Sequence, residues 1–357
     1  MSREGRLYFL DNLRVACMIV VIAHHAGQPY GPTGGAWPIF EATRAAVLGP
    51  FFWVNRSFMM SLFFMIAGYF MVMSCDRHGP KAFLRNRLLR LGVPLLVFAA
   101  IVVPLQVFVF GASDGTLGSA WPIDVGPLWF VQHLLIYAAA YAGWRMLRPG
   151  SAEAPRRTGS VPGEATILGF CVGLALLSGI VRIWYPIDRW VYILGFLRVA
   201  WSDVPRDLSL FIIGALAYRR GWITLFPAKR GMRWLGVGVA LAALWYVYDL
   251  WLAPALQPDS LAIDILILLW ESVFCLSICI GLTVLFRERL NVQTRLSSCL
   301  ARSQYAAYII HIFIVVGVHM LLAGLAAPPL AKFALATLLS VPATFGIAGL
   351  IYKPLRL

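Results

Sequence analysis

The sequence predicts an all-α fold, a polytopic transmembrane helical bundle of about ten helices, and three observations carry that prediction. Of the 357 residues 60% are hydrophobic and 13% charged, against about 45–50% and about a quarter in soluble domains. Apolar runs long enough to cross a hydrocarbon core of roughly 30 Å recur from end to end, with only polar or Gly/Pro-rich connectors between them. The Lys and Arg residues collect in alternate connectors, the signature of a chain threaded back and forth through a bilayer. A water-soluble fold could not hide so much apolar surface, and the mean hydropathy of +0.78 makes 1–357 read as one membrane domain.

The expected spans are 10–27, 57–75, 91–110, 128–147, 165–184, 207–219, 233–252, 261–286, 304–324 and 331–352, the sixth being the shortest. The first apolar run follows Arg3 and Arg6 as a leader would. Asp11 and Arg14 interrupt its start and His24-His25 its end, and no convincing small-residue cleavage site follows, so it is read as a retained helix. One set of connectors carries Arg3 and Arg6, Arg77 to Arg90, Arg145 to Arg157, Arg219 to Arg233, Arg287 to Arg302, and Lys353 with Arg356. The other set is sparse, and 111–127 and 253–260 contain no Lys or Arg. Positive segments stay cytoplasmic, which places both termini there.

That pattern gives the net charge of +14 a topological meaning and argues against nucleic acid as a partner; membrane lipids are the expected surroundings. The stretch 148–163 is a flexible cytoplasmic linker by composition, without being a domain boundary. No fixed-period repeat is visible, and no second copy of a broken helix such as many transporters carry. Gly169-x-x-x-Gly173 allows close helix approach. The six cysteines lie mostly inside apolar runs, with no CxxC pair and no His at zinc-ligand spacing, so neither disulfides nor a metal are expected.

An ionisable group inside a membrane costs several kcal/mol and marks a site by default. The first helix has three. Arg14 and His25 are eleven positions apart, which at about 100° per residue puts them within roughly 20° on one face and about 16 Å apart along the axis. Asp11 falls near the same face, while His24 points about 100° away. A lone buried His is as well explained by a hydrogen bond to a carbonyl as by function; the aligned Arg14 shifts the balance for His25. Glu271 in the eighth span is expected to be paired or protonated. His133 and His311, in the fourth and ninth spans, read as polar glue or tunnel lining in a supporting role. Arg87 and Arg90 lie three apart at the start of the third span.

The opening LYFLDNLRVACMIVVIAHHAGQPY, in which His25 follows Arg14 after ten intervening residues, resembles the first helix of acyltransferase family 3, the integral membrane acyltransferases. FFMIAGYF at 63–70, RLLR at 87–90, GPLWFVQHLLIY at 126–137 and SQYAAYIIHIFIV at 303–315 are similar to further motifs of that family, in order along the chain. The periplasmic glucan-modifying subgroup looks closest. The resemblance implies a ten-helix O-acyltransferase of the bacterial cytoplasmic (inner) membrane. It would take an acyl group, acetyl or succinyl, from cytoplasmic acyl-CoA as donor substrate, with no permanently bound cofactor, and deliver it to a hydroxyl of an extracytoplasmic glycan.

On that reading His25 is the catalytic base and Arg14 orients the donor or holds developing negative charge. Arg87 and Arg90 bind the acyl-CoA phosphates, guanidinium forks being suited to phosphate oxygens, and Asp11, Trp129, His133, Glu271 and His311 support the site. An acyl-imidazole intermediate is the mechanistic alternative. The acceptor would lie near 184–206, with Trp184, Tyr185, Asp188, Arg189, Trp190, Trp201, Asp203 and Arg206, or near the acidic loop of Asp114 and Asp124. Some family members add an extracytoplasmic hydrolase-like domain; here the expectation is action through the bundle alone or with a separate envelope glycan-synthesis partner. The competing readings are a transporter or flippase for an envelope precursor, a scaffold subunit, and a membrane acyltransferase of another kind using the late His311.

Overall fold

Long apolar segments with no exposed backbone to offer water can satisfy their amides only within themselves, and helices follow. The computed structural model describes residues 7–32, 37–101, 125–148, 160–256 and 260–355. Its main helices are α1 (Tyr8–Gly27), α2 (Leu48–His78), α3 (Pro80–Arg87), α4 (Trp129–Leu147), α5 (Glu164–Trp184), α6 (Val204–Arg220), α7 (Ala228–Val247), α8 (Leu261–Arg289), α9 (Arg295–Leu322) and α10 (Pro329–Leu355). Seven segments, at α1, α2, α5, α7, α8, α9 and α10, are long and apolar enough to cross a membrane. The chain is thus a multi-pass membrane protein. The fourth and sixth expected spans form helices of 19 and 17 residues, α4 and α6. The third is helical from 93 to 101, and its remainder, like Asp114, Asp124 and most of the 148–163 linker, lies outside the described residues.

Two helices start well before the hydropathy pattern does. α2 begins at Leu48 instead of 57 because Arg56, which broke the pattern, lies over the Trp53 ring at 5.8 Å, a cation–π arrangement that keeps a charged residue within a helix. α9 begins at Arg295 because Thr294 and Ser297 exchange side-chain and backbone hydrogen bonds, a capping box built from polar residues that hydropathy reads as connector.

The chain forms two compact units, the first Met1–Phe63, Val161–Gly179 and Ile223–Leu357, the second Phe64–Ser160 and Ile180–Trp222. In the first, α1 packs on α8, α9 and α10, and α7 on α8. A Cβ at Gly231, Gly238 or Gly281 would collide with Val284, Ile278 or Leu235, so glycine sets the α7–α8 distance. Among the described residues nothing lies within 4 Å of where a Cβ on Gly169 or Gly173 would be. In the second unit Phe64, Met71, Cys75, Phe83, Ala138, Ala142 and Phe211 form the core, and Gly68 and Gly214 bring α2 and α6 into backbone contact. A hairpin pairs Val191 with Val199 and Ile193 with Leu197. Its three-residue tip, Leu194 to Phe196, holds Leu194 and Gly195 in the left-handed region at φ 53° and 74°, and the Phe196 N–H closes the turn on the Ile193 carbonyl at 3.3 Å.

Candidate active site

α1 and α9 run parallel, because their contacts climb both in the same order. Before α9, the Asn291 carboxamide oxygen accepts from the Phe9 N–H at 3.2 Å, and Asn12 donates to the carbonyls of Leu290 and Val292. Higher up, Gln304 donates to the Arg14 carbonyl at 2.8 Å. The His25 and His311 rings then come to 5.2 Å, and His319 donates to the Ala26 carbonyl at 3.0 Å. α1 is unbroken from Tyr8 to Gly27, so the one-face relation of Arg14 and His25 holds. The Arg14 guanidinium lies 3.9 Å from the Asp11 carboxylate.

His25 is enclosed by rings. Trp37 stacks on it at 5.6 Å and 14°, His311 faces it at 44°, and His24 stands edge-on at 5.6 Å. His24 itself packs on Phe52 at 5.1 Å. His311 is fully buried, and its Nδ1 lies 2.6 Å from the Tyr308 carbonyl. A carbonyl can only accept, so Nδ1 carries the proton and Nε2 of the neutral ring presents a lone pair. That Nε2 and the Nδ1 of His25 are both buried and have no hydrogen-bond partner among the described residues, and the same holds for Oε1 of Gln304 and the Tyr305 hydroxyl. Buried polar atoms are nearly always paired, and the two imidazole nitrogens left unpaired belong to rings only 5.2 Å apart. The pair of imidazoles could take a proton from a hydroxyl placed between or beside them.

Glu271 lies in α8 of the same unit and is buried. Arg87, Arg90, Trp129 and His133 belong to the second unit. There the Arg87 guanidinium sits 5.4 Å from the Phe83 ring centre. The interval from Arg87 to Arg90 runs through a π-helical turn, Leu88–Gly92. Its hydrogen bonds span five residues instead of four, so the α-helical count that puts residues three apart on one face does not apply, and such turns occur often at functional sites. His133 donates from Nδ1 to the Trp129 carbonyl at 2.8 Å. Trp129 meets Trp190 at 5.6 Å, and Arg198 lies 4.2 Å over Trp190. Gln132 fastens the hairpin by donating to the Phe196 carbonyl and accepting from the Arg198 N–H.

A family model described as an acyltransferase domain matches residues 7–353. The chain belongs to that family. Among its relatives, the glucans biosynthesis protein C of Salmonella heidelberg and that of Salmonella enteritidis PT4 are each 25% identical to it over 229 residues, 60% of this chain and 58% of the relative. The match thus spans less than two thirds of those relatives' length. No solved structure matches the chain. Within this acyltransferase-domain protein, three site residues escaped sequence reasoning. Trp37 stands in a Gly/Pro-rich connector where periodicity says nothing, and His319 donates across 293 positions of sequence. Gln304 had a legible signal: it precedes His311 by seven residues, about 20° away on the same helical face.

Proposed function

We propose that this protein is a membrane O-acyltransferase. It takes an acyl group, acetyl or succinyl, from acyl-CoA at the basic, cytoplasmic side of the inner membrane and gives it to a hydroxyl of an extracytoplasmic carbohydrate. The observation that carries the proposal is the pair of buried, unpartnered imidazole nitrogens of His25 and His311, above Arg14, in a chain of the acyltransferase-domain family. The names of the relatives favour a glucan as acceptor.

In the proposed step His25 removes the proton of the acceptor hydroxyl, and the oxygen attacks the thioester carbonyl carbon. The new C–O bond forms as the C–S bond breaks, and the departing thiolate takes up a proton to leave as coenzyme A. An imidazole, with a free pKa of about 6.5, is suited to this task. Arg14, about 16 Å from His25 along the axis of α1 and 3.9 Å from the Asp11 carboxylate, lies too far down the helix to touch the reacting carbonyl and orients the donor. Arg87 and Arg90 take the phosphates of coenzyme A. Trp190, between Trp129 and Arg198, offers a flat face of the kind a sugar ring stacks on.

The test supplies labelled acetyl-CoA and succinyl-CoA to the purified protein with an envelope glucan and follows thioester loss and ester formation. Turnover by the wild type with one donor, and a KM for that donor raised about tenfold in Arg87→Ala at nearly unchanged kcat, is expected. Absence of turnover with both donors and with glucan present would sink the proposal in favour of a transporter or scaffold.

A further inference from the structure

His25 is the base only if its ring is held in one orientation, and α1 alone does not hold it: His25 sits two residues before the end of that helix and its Nδ1 has no hydrogen bond. Of the three rings packed on it, Trp37 lies most nearly parallel, stacked at 14° and 5.6 Å. Trp37 comes from a connector, and its indole needs an anchor of its own. The Trp37 Nε1–H donates to Nδ1 of His319 at 3.2 Å, and Nε2 of His319 lies 3.0 Å from the Ala26 carbonyl. The carbonyl can only accept, so Nε2 carries the proton and Nδ1 has the lone pair that Trp37 needs. Both assignments agree on one neutral tautomer. The carbonyl of Ala26 is among the last four of α1, which have no partner within the helix. A ring of contacts therefore closes from His25 through Trp37 and His319 back to the residue that follows His25.

Three of its members are sealed from water, Trp37 at 8% exposed, His319 at 1% and Ala26 at 0%, while His25 is half-buried. The connector is fastened at two further points, the 2.7 Å pair of Lys332 with Glu41 and the bond from the Ala45 N–H to the Tyr30 carbonyl.

We infer that His319 is a positioning residue for acyl transfer, acting through the Trp37 indole to hold the His25 imidazole at its working angle. The inference rests on the proposed role of His25. Steady-state rates of the purified full chain, with the donor found for the wild type and a glucan acceptor, test it in five variants: His25→Ala, His319→Ala, His319→Gln, Trp37→Phe and the Trp37→Phe/His319→Ala double. Trp37→Phe keeps a ring against His25 and loses only the N–H. His319→Gln can still accept from an indole and donate to a carbonyl.

Displacing a base by about 1 Å costs up to about a hundredfold. Accordingly kcat falls about ten- to a hundredfold in His319→Ala and in Trp37→Phe, while KM for donor and acceptor stays within about twofold. Because both variants cut one link, the double variant is no slower than the slower single one, and His319→Gln recovers most of the rate. Wild-type kcat in Trp37→Phe, or losses that multiply in the double variant, overturn the inference. Should His319→Ala lose its cooperative thermal transition, Trp37→Phe alone decides. If His25→Ala is inactive while the other variants run at the wild-type rate, only this inference fails; if His25→Ala turns over normally, the proposed mechanism fails and this goes with it.

Discussion

Two largely buried polar clusters, one in each unit, are built on opposite terms. In the second unit the Asp76 carboxylate accepts from Arg145 at 2.6 Å and from both terminal nitrogens of Arg219 at 2.6 and 2.9 Å, while the Tyr141 hydroxyl accepts from the same two arginines at 3.1 Å. The cluster ties the ends of α2, α4 and α6 together, and both carboxylate oxygens are used. In the first unit His24, His25, Gln304, Tyr305 and His311 each leave a buried polar atom unmatched. A saturated cluster gains stability and has nothing left to offer a substrate; an unsaturated one gives up stability and retains open valences for chemistry. Ionisable residues within a membrane protein therefore do not all mark function, and their hydrogen-bond state separates the kinds.

Substitutions can break that contrast. The largest effect is expected at His25: His25→Ala lowers acyl transfer about 10²–10⁴-fold, with a thermal midpoint in detergent close to the wild type. A midpoint collapse matching the activity loss would move His25 into the structural class. Asp76→Ala does the reverse. It leaves two guanidiniums that are 6% and 19% exposed without their carboxylate, costing about 3–5 kcal/mol of stability, read as a lowered midpoint whose activity loss follows the unfolded fraction. An unchanged midpoint would show that the cluster is not a clasp.

Two milder changes sharpen the comparison. Tyr141→Phe removes an acceptor shared by two charged donors and is expected to cost about 1.5–3 kcal/mol in chemical denaturation. Gln304→Leu removes one hydrogen bond and one unsatisfied oxygen together, so its stability stays within about 1 kcal/mol of the wild type. A larger loss for Gln304→Leu than for Tyr141→Phe would reverse the assignment of the two clusters.

Charge spacing in the connectors predicted Arg145 and Arg219 as topology determinants and gave no hint of Asp76, because an ion pair between helices leaves no periodic trace in the sequence. The GxxxG spacing at 169–173 allows a close approach that no described residue makes, while Gly68 and Gly214, in no such motif, bring two backbones together. Small residues permit contact, and neighbouring helices decide where it occurs.

By itself the sequence determined the helical membrane architecture, since mean hydropathy and the length of apolar runs report directly on transfer from water to lipid. It also determined that Arg14 and His25 share a face, since both stand on one regular helix and 3.6 residues per turn leaves no freedom. Only the tertiary structure decided which histidine faces His25, that Trp37 stacks on it and His319 accepts from Trp37, and that a π-helical turn starts between Arg87 and Arg90. Those relations join residues hundreds of positions apart or alter the local helix itself, and they depend on packing, which local periodicity does not encode.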